Sequence, residues 1–138
     1  MVFKVAPLSR KEVSGSTNKN REAGQESNVD FDENSFRSRI VELISSKKNP
    51  EAAIDELSRH YHIERPSLRV GLPKGGKRAL GCYVQRDKTI YISNYDYLYD
   101  PYVIIHEFYH HLRNVSGKHR GTERHAKEFA LAFLNSSQ

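Results

Sequence analysis

The chain has 138 residues, 37 % hydrophobic and 28 % charged, with a net charge of +5 and a pI near 9.3. That is one domain's length and polar for a globular chain, so part of it is expected outside a packed core. The single cysteine, Cys82, excludes an internal disulfide and fits a reducing compartment. No window approaches the ~20 apolar residues of a membrane span. The first eight residues lack the apolar stretch of about 7–15 residues that a secretory signal needs. The expectation is a soluble, cytoplasmic protein.

From Ser9 to Asn28 only Val13 has real apolar bulk. Such a stretch cannot bury enough surface to offset its ordering entropy. Residues 1–31 are therefore expected as a flexible tail and residues 32–138 as a single domain. A tail of that length can reach a cleft, and Phe3, Val5 and Leu8 form an apolar cluster with which it could dock and hold the protein latent. A free terminus is the simpler expectation. The remaining domain has a thin core, which a bound metal tying elements together would strengthen.

Helical patterning begins near Ser35, where Ile40, Leu43 and Ile44 recur at i, i+3, i+4 and Asp32 or Asn34 can cap. Asn49 is the N-cap and Pro50 the first-turn residue of a second helix, with Ala53, Ile54, Leu57 and Tyr61 on one face. After Pro66 the pattern shortens. Leu68 and Val70 alternate, and Gly75-Gly76 breaks the run. Ala79 to Val84 and Thr89 to Ser93 read as two strands joined by a turn at Gln85 to Lys88. Asn94 to Asp100 is a tyrosine-rich loop. Asp100-Pro101 starts a helix to about Asn114, residues 117–121 form a loop, and Thr122 caps a last helix to about Leu134. The class is α+β: a small antiparallel sheet packed on two helices.

Between Arg65 and Lys88 lie Arg65, Arg69, Lys74, Lys77, Arg78, Arg86 and Lys88, against one acid, Asp87. One reading is a surface for nucleic acid or an acidic substrate. With no binding motif interleaved, a solvated basic hairpin is the simpler one.

The Pro101 helix carries His106-Glu107-Phe108-Tyr109-His110. Histidines four apart lie on one side, about one turn from each other, and two imidazole nitrogens at that distance can hold a zinc ion. Glu107 is placed to take a proton from an attacking water and pass it to the leaving amine. A catalytic zinc takes three protein ligands. His111 points about 100° away from His110 and is set aside. His119, Glu123, His125 and Glu128 remain. On the last helix the apolar residues are Ala126, Phe129, Ala130, Phe133 and Leu134. Glu123 lies about 60° from the centre of that face, His125 about 100°, and Glu128 nearly opposite. Glu123 is the favoured ligand and His125 the alternative. Several tyrosines lie near the motif, any one of which could donate to an oxyanion.

Ile105 to Leu112, followed by Glu123-Arg124-His125-Ala126-Lys127-Glu128-Phe129-Ala130, resembles the gluzincin pattern of His-Glu-x-x-His followed by Glu-x-x-Ala. The shortness of the chain is similar to the archaeal minigluzincins. The resemblance covers roughly Pro66 to Leu134. It implies a zinc metallopeptidase acting on peptide or protein substrates, with Glu107 as general base and His106, His110 and Glu123 as ligands. It further implies a minimal zincin-like fold in which the strand before the motif helix, Thr89 to Ser93, offers its edge to an extended substrate. Glu123, Ala126, Phe129 and Ala130 are also similar to the ImmA/IrrE-type peptidases. Where gluzincins often place Asp or Asn, this chain has Lys127. His125 and Phe129 fit the SprT-like peptidases too, which act on DNA-associated proteins. A non-catalytic, metal-stabilised binding domain is the alternative of a different class.

Overall fold

Asn49 caps a helix in the N-terminal half: its side chain accepts from the Ala52 N–H, and Pro50 needs no partner for a donor it lacks. The structure, a computed structural model, describes residues 2–5, 28–74, 79–116 and 122–136. The helix at Asn49 is α2 (Pro50–Tyr61), and it closes on His62 in the left-handed conformation at φ 57°. The other helices are α1 (Asn28–Ser45), the single turn α3 (Tyr95–Leu98), α4 (Pro101–Val115) and α5 (Glu123–Ser136). The strands are β1 (Val2–Val5), β2 (Ser67–Val70), β3 (Gly81–Val84) and β4 (Thr89–Ile92). Among the described residues, no helix is long and apolar enough to cross a membrane.

The class is α+β, as expected. The four strands run β1-β3-β4-β2, with β1 antiparallel to β3, β3 antiparallel to β4, and β2 parallel to β4. The sheet is therefore mixed, where an antiparallel one was expected. Only β3 and β4 are joined by a tight turn, closed by Lys88 N–H donating to the Gln85 carbonyl at 3.2 Å with Lys88 at φ 52°. β2 reaches β4 from α2, a separate approach that leaves it free to run parallel.

Three further differences from expectation follow from local physics. Val2–Val5 pairs with Gly81–Val84 as an edge strand, and Asn28–Phe31 opens α1, so both ends of the expected 1–31 tail are in regular structure. In Val-Phe-Lys-Val, three of the four residues favour strands. Residues 6–27, with Leu8 and Val13, lie outside the described residues. The tyrosine-rich loop contains α3, capped by Asn94 accepting from the Asp96 N–H at 2.9 Å. β4 is hydrogen-bonded on both sides, so it has no free edge for an extended substrate.

The core is continuous from the helices to the sheet. Ile40 and Ile44 of α1, Ile54 and Leu57 of α2, Ile90 and Ile92 of β4, Ile104, Ile105 and Phe108 of α4, and Phe133 of α5 are all fully buried. Each such side chain contributes roughly 1.5–3 kcal/mol of burial. α4 is the central element, packed against α5 on one side and against β1, β3 and β4 on the other. Ala126 and Ala130 are fully buried, and their small size lets α5 come close to α4. Ser38 Oγ donates to the Ser136 carbonyl at 2.9 Å, tying the end of α5 to α1.

Candidate metal centre

Asp100 and Pro101 set where α4 begins. The Asp100 carboxylate accepts from the Tyr102 N–H at 2.9 Å, although burial raises its pKa. From that start, the 3.6-residue period carries Ile104, Ile105 and Phe108 into the core and aims His106 and His110 at the first turn of α5. There Glu123 meets both. Its Oε1 lies 3.3 Å from His106 Nε2 and its Oε2 3.3 Å from His110 Nε2. The two histidines are buried while the Glu123 side chain is 55 % exposed, so the cluster is reached from solvent on the Glu123 side.

His106, His110 and Glu123 each offer one ligand atom, and all three atoms lie within 4.8 Å of one another. The donor set suits a metal ion. Two imidazole nitrogens and one carboxylate oxygen are the donors of a three-ligand site with a further position open. The cluster could hold such an ion. The rings are also braced by aromatic neighbours. Tyr102 packs on His106 with centroids 5.6 Å apart, and Tyr109 lies between His110 and Phe129, 6.1 Å and 5.0 Å away.

The electrostatics match this arrangement. Burial opposes charge on His106, but the adjacent Glu107 and Glu123 carboxylates outweigh it and hold the imidazole at about 9. Burial likewise opposes the Glu123 carboxylate, and the two histidines reverse that and bring it to about 2. For His110 burial wins and its pKa is lowered. Burial pushes Glu107 up to about 7 despite the opposing pull of His106. The Glu107 side chain is fully buried, and its Oε2 lies 3.4 Å from His106 Nδ1. Neither of its oxygens has a hydrogen-bond partner among the described residues. A buried carboxylate of that kind is expensive to keep, which makes Glu107 a functional candidate.

The other candidate ligands lie elsewhere. His125, on which the SprT-like alternative turns, is exposed, with its Nδ1 2.9 Å from Thr122 Oγ1. Glu128 pairs with Arg124 at 3.4 Å. His119 lies outside the described residues. In the basic stretch, Arg65 pairs with Glu51 and with Asp55, Lys88 with Glu64 and Arg86 with Asp87. Lys77 and Arg78 lie outside the described residues.

His111 is not a ligand but has a definite place that the sequence pattern did not reveal. It is fully buried. Its Nε2–H donates to the Glu64 carbonyl at 2.8 Å, and its Nδ1 accepts from the Tyr83 hydroxyl at 2.8 Å. Tyr83 accepts in turn from Asn114 at 3.3 Å, and Asn114 accepts from Gln85. This donor chain joins the loop before β2, the strand β3 and the helix α4. Only the adjacency of two histidines in the motif hinted at it.

Comparisons with protein families, with curated proteins and with solved structures gave no match. The class of protein is therefore argued from the site itself.

Proposed function

We propose that this chain is a zinc-dependent metallopeptidase of gluzincin type, similar to the archaeal minigluzincins, acting on peptide or protein substrates. The observation that carries the reading is the convergence of His106, His110 and Glu123 within 4.8 Å beside a buried carboxylate, Glu107, on the same helix. Two imidazoles and a carboxylate favour zinc among the common divalent ions. When bound, zinc would supply Lewis acidity toward a peptide carbonyl and a water molecule. Glu107 takes a proton from the water whose oxygen attacks the carbonyl carbon. It then delivers that proton to the amide nitrogen as the C–N bond breaks. One peptide bond and one water become a carboxyl end and an amine end, and Glu107 returns to its starting state. A carboxylate poised near 7 can both accept and release a proton at neutral pH.

Glu107→Gln keeps the shape and removes the base. Zinc content by metal analysis is expected to stay at the wild-type level, while cleavage of unfolded casein falls on the order of 10²–10⁴-fold. Cleavage as fast as wild type would sink the mechanism.

A second reading, a non-catalytic domain stabilised by the metal, draws support from one observation. Glu107 is fully buried against His106 Nδ1, the placement of a carboxylate that orients a ligand. In that case Glu107→Gln weakens zinc affinity by about 10–100-fold and neither protein cleaves casein.

A further inference from the structure

We propose that Arg113 anchors the substrate of this centre: its guanidinium binds a carboxylate of the peptide, one or two residues from the bond that is cut. That the bound peptide is cut rests on the peptidase reading. The anchoring itself does not.

Arg113 belongs to the ligand-bearing face of α4. It follows His110 at i+3 and His106 at i+7, and at 100° per residue it lies about 40° from their mean direction. Helical side chains lean toward the N-terminus, over the preceding turn. Arg113 does so. Its guanidinium carbon lies 5.8 Å from the centre of the Tyr109 ring, and that ring lies 6.1 Å from the His110 ring. The cation is thereby turned back toward the metal ligands. Tyr109 and Phe129, both half-buried with rings 5.0 Å apart, form an aromatic wall beside it.

What this cation lacks is an anion. Three of the described arginines pair with no carboxylate among the described residues: Arg59 and Arg69, which are exposed and can be served by water, and Arg113, which is half-buried. The Arg113 Nε is buried and has no hydrogen-bond partner among the described residues. The two carboxylates of the centre are engaged by histidines, Glu123 by His106 and His110, and Glu107 by His106. A buried N–H without an acceptor is costly, and it marks a place where a ligand can complete the bonding. A rotation about the outer torsions of Arg113 presents Nε–H together with an Nη–H. That planar fork takes both oxygens of a carboxylate at once. The reach also fits. Along an extended peptide, a carboxylate one or two residues away lies about 3.5–7 Å from the cut bond. The offset from His110 to Arg113 along the helix axis is about 4.5 Å. A peptide can supply the carboxylate from its chain end or from an acidic side chain, and the test separates the two.

The probe is the dansyl peptide Ala-Ala-Phe-Ala-Ala in three forms: the free acid, the C-terminal amide, and the amide with glutamate in place of the last alanine. Binding to the full chain is read by fluorescence anisotropy in EDTA, where no metal ion can take the carboxylate. Cleavage is read with zinc. In EDTA the wild type is expected to bind a carboxylate-bearing form about tenfold more tightly than the plain amide. Preference for the acid alone assigns the chain end, and equal preference for the glutamate amide assigns the side chain. Arg113→Gln removes the preference. Arg113→Lys, which keeps the charge and loses the fork, retains about a third of it. Arg124→Gln, altering an exposed arginine paired with Glu128, retains all of it. Zinc affinity of Arg113→Gln within about threefold of wild type shows that the centre is intact. A wild type that binds all three forms equally in EDTA, or an Arg113→Gln protein that still prefers a carboxylate, overturns the proposal. Carboxylate-selective binding with no cleavage by the zinc-loaded protein leaves the anchor in place and removes the peptidase reading. Cleavage indifferent to the carboxylate, with binding also indifferent, leaves the peptidase and removes the anchor.

Discussion

His110 and His111 are neighbours on α4, both buried, and they face opposite environments. Both ring nitrogens of His111 are spoken for by neutral partners, the Tyr83 hydroxyl and the Glu64 carbonyl, each at 2.8 Å. His110, with His106 one turn earlier, points its Nε2 at a carboxylate on another helix. One network is closed and neutral. The other is charged and opens toward solvent at Glu123. The residue type is the same, so the difference lies in which elements each ring meets. A 100° step along the helix turns His111 to β3 and the loop before β2, and leaves His110 facing α5.

The largest expected effect separates the two networks by their metal dependence. Glu123→Ala removes one of three ligand atoms, and zinc affinity, read by competition with a chromophoric chelator, is expected to fall more than about 100-fold, beyond the cost of losing an orienting group. His125→Ala, altering an exposed residue bonded to Thr122, is expected to leave affinity within about twofold. A reversal of those two results would move the third ligand to His125 and favour the SprT-like reading.

Next in size is the loss of the neutral network. His111→Ala leaves the Tyr83 hydroxyl and the Glu64 carbonyl without their partner and opens a cavity in the core. It is expected to cost about 2–4 kcal/mol of stability in denaturant unfolding. Zinc affinity of the folded protein should be unchanged within about threefold. If zinc affinity falls as far as it does for Glu123→Ala, the two networks are not separable and the contrast between them fails.

The contrast also explains what could be read from the chain and what could not. His106, Glu107 and His110 are legible because their relation is local: one helix, a cap at Asp100 and a period of 3.6. Glu123 is legible for the same reason, since the apolar face of α5 already points it at α4. The α+β class follows from the alternation of helical and strand periods. The partners of His111 were not legible, because Glu64 and Tyr83 reach it from distant parts of the chain and no local pattern records the meeting. The parallel placement of β2 beside β4 is likewise set by tertiary packing. β1 was hidden by its context: three strand-forming residues and a lysine preceding a long polar run look like the start of a tail. The expectation that β4 offers a free edge failed because it took the strand before the motif helix to be the outermost.

The smallest effect is the pH dependence of the metal-free chain, and here the two networks have opposite signs. Burial lowers the His111 pKa, so the folded state binds fewer protons there than the unfolded state near an ordinary value of about 6.5. Its contribution is present above about 6.5 and is lost as pH falls toward the folded value. His106 is held at about 9, so the folded state binds the extra proton, and its contribution is present below about 6.5 and lost as pH rises through about 9. In EDTA, His111→Gln should therefore flatten the acid limb of the stability profile between its lowered value and about 6.5, and His106→Gln the limb between about 6.5 and 9. With zinc present the His106 sign inverts, because a ligand imidazole must be neutral and binding releases its proton. The alkaline loss should then shrink, with stability falling on the acid side instead, while the His111 effect stays where it was. If zinc leaves both limbs unchanged, His106 is not a ligand, and the difference between the two networks is only one of hydrogen bonding.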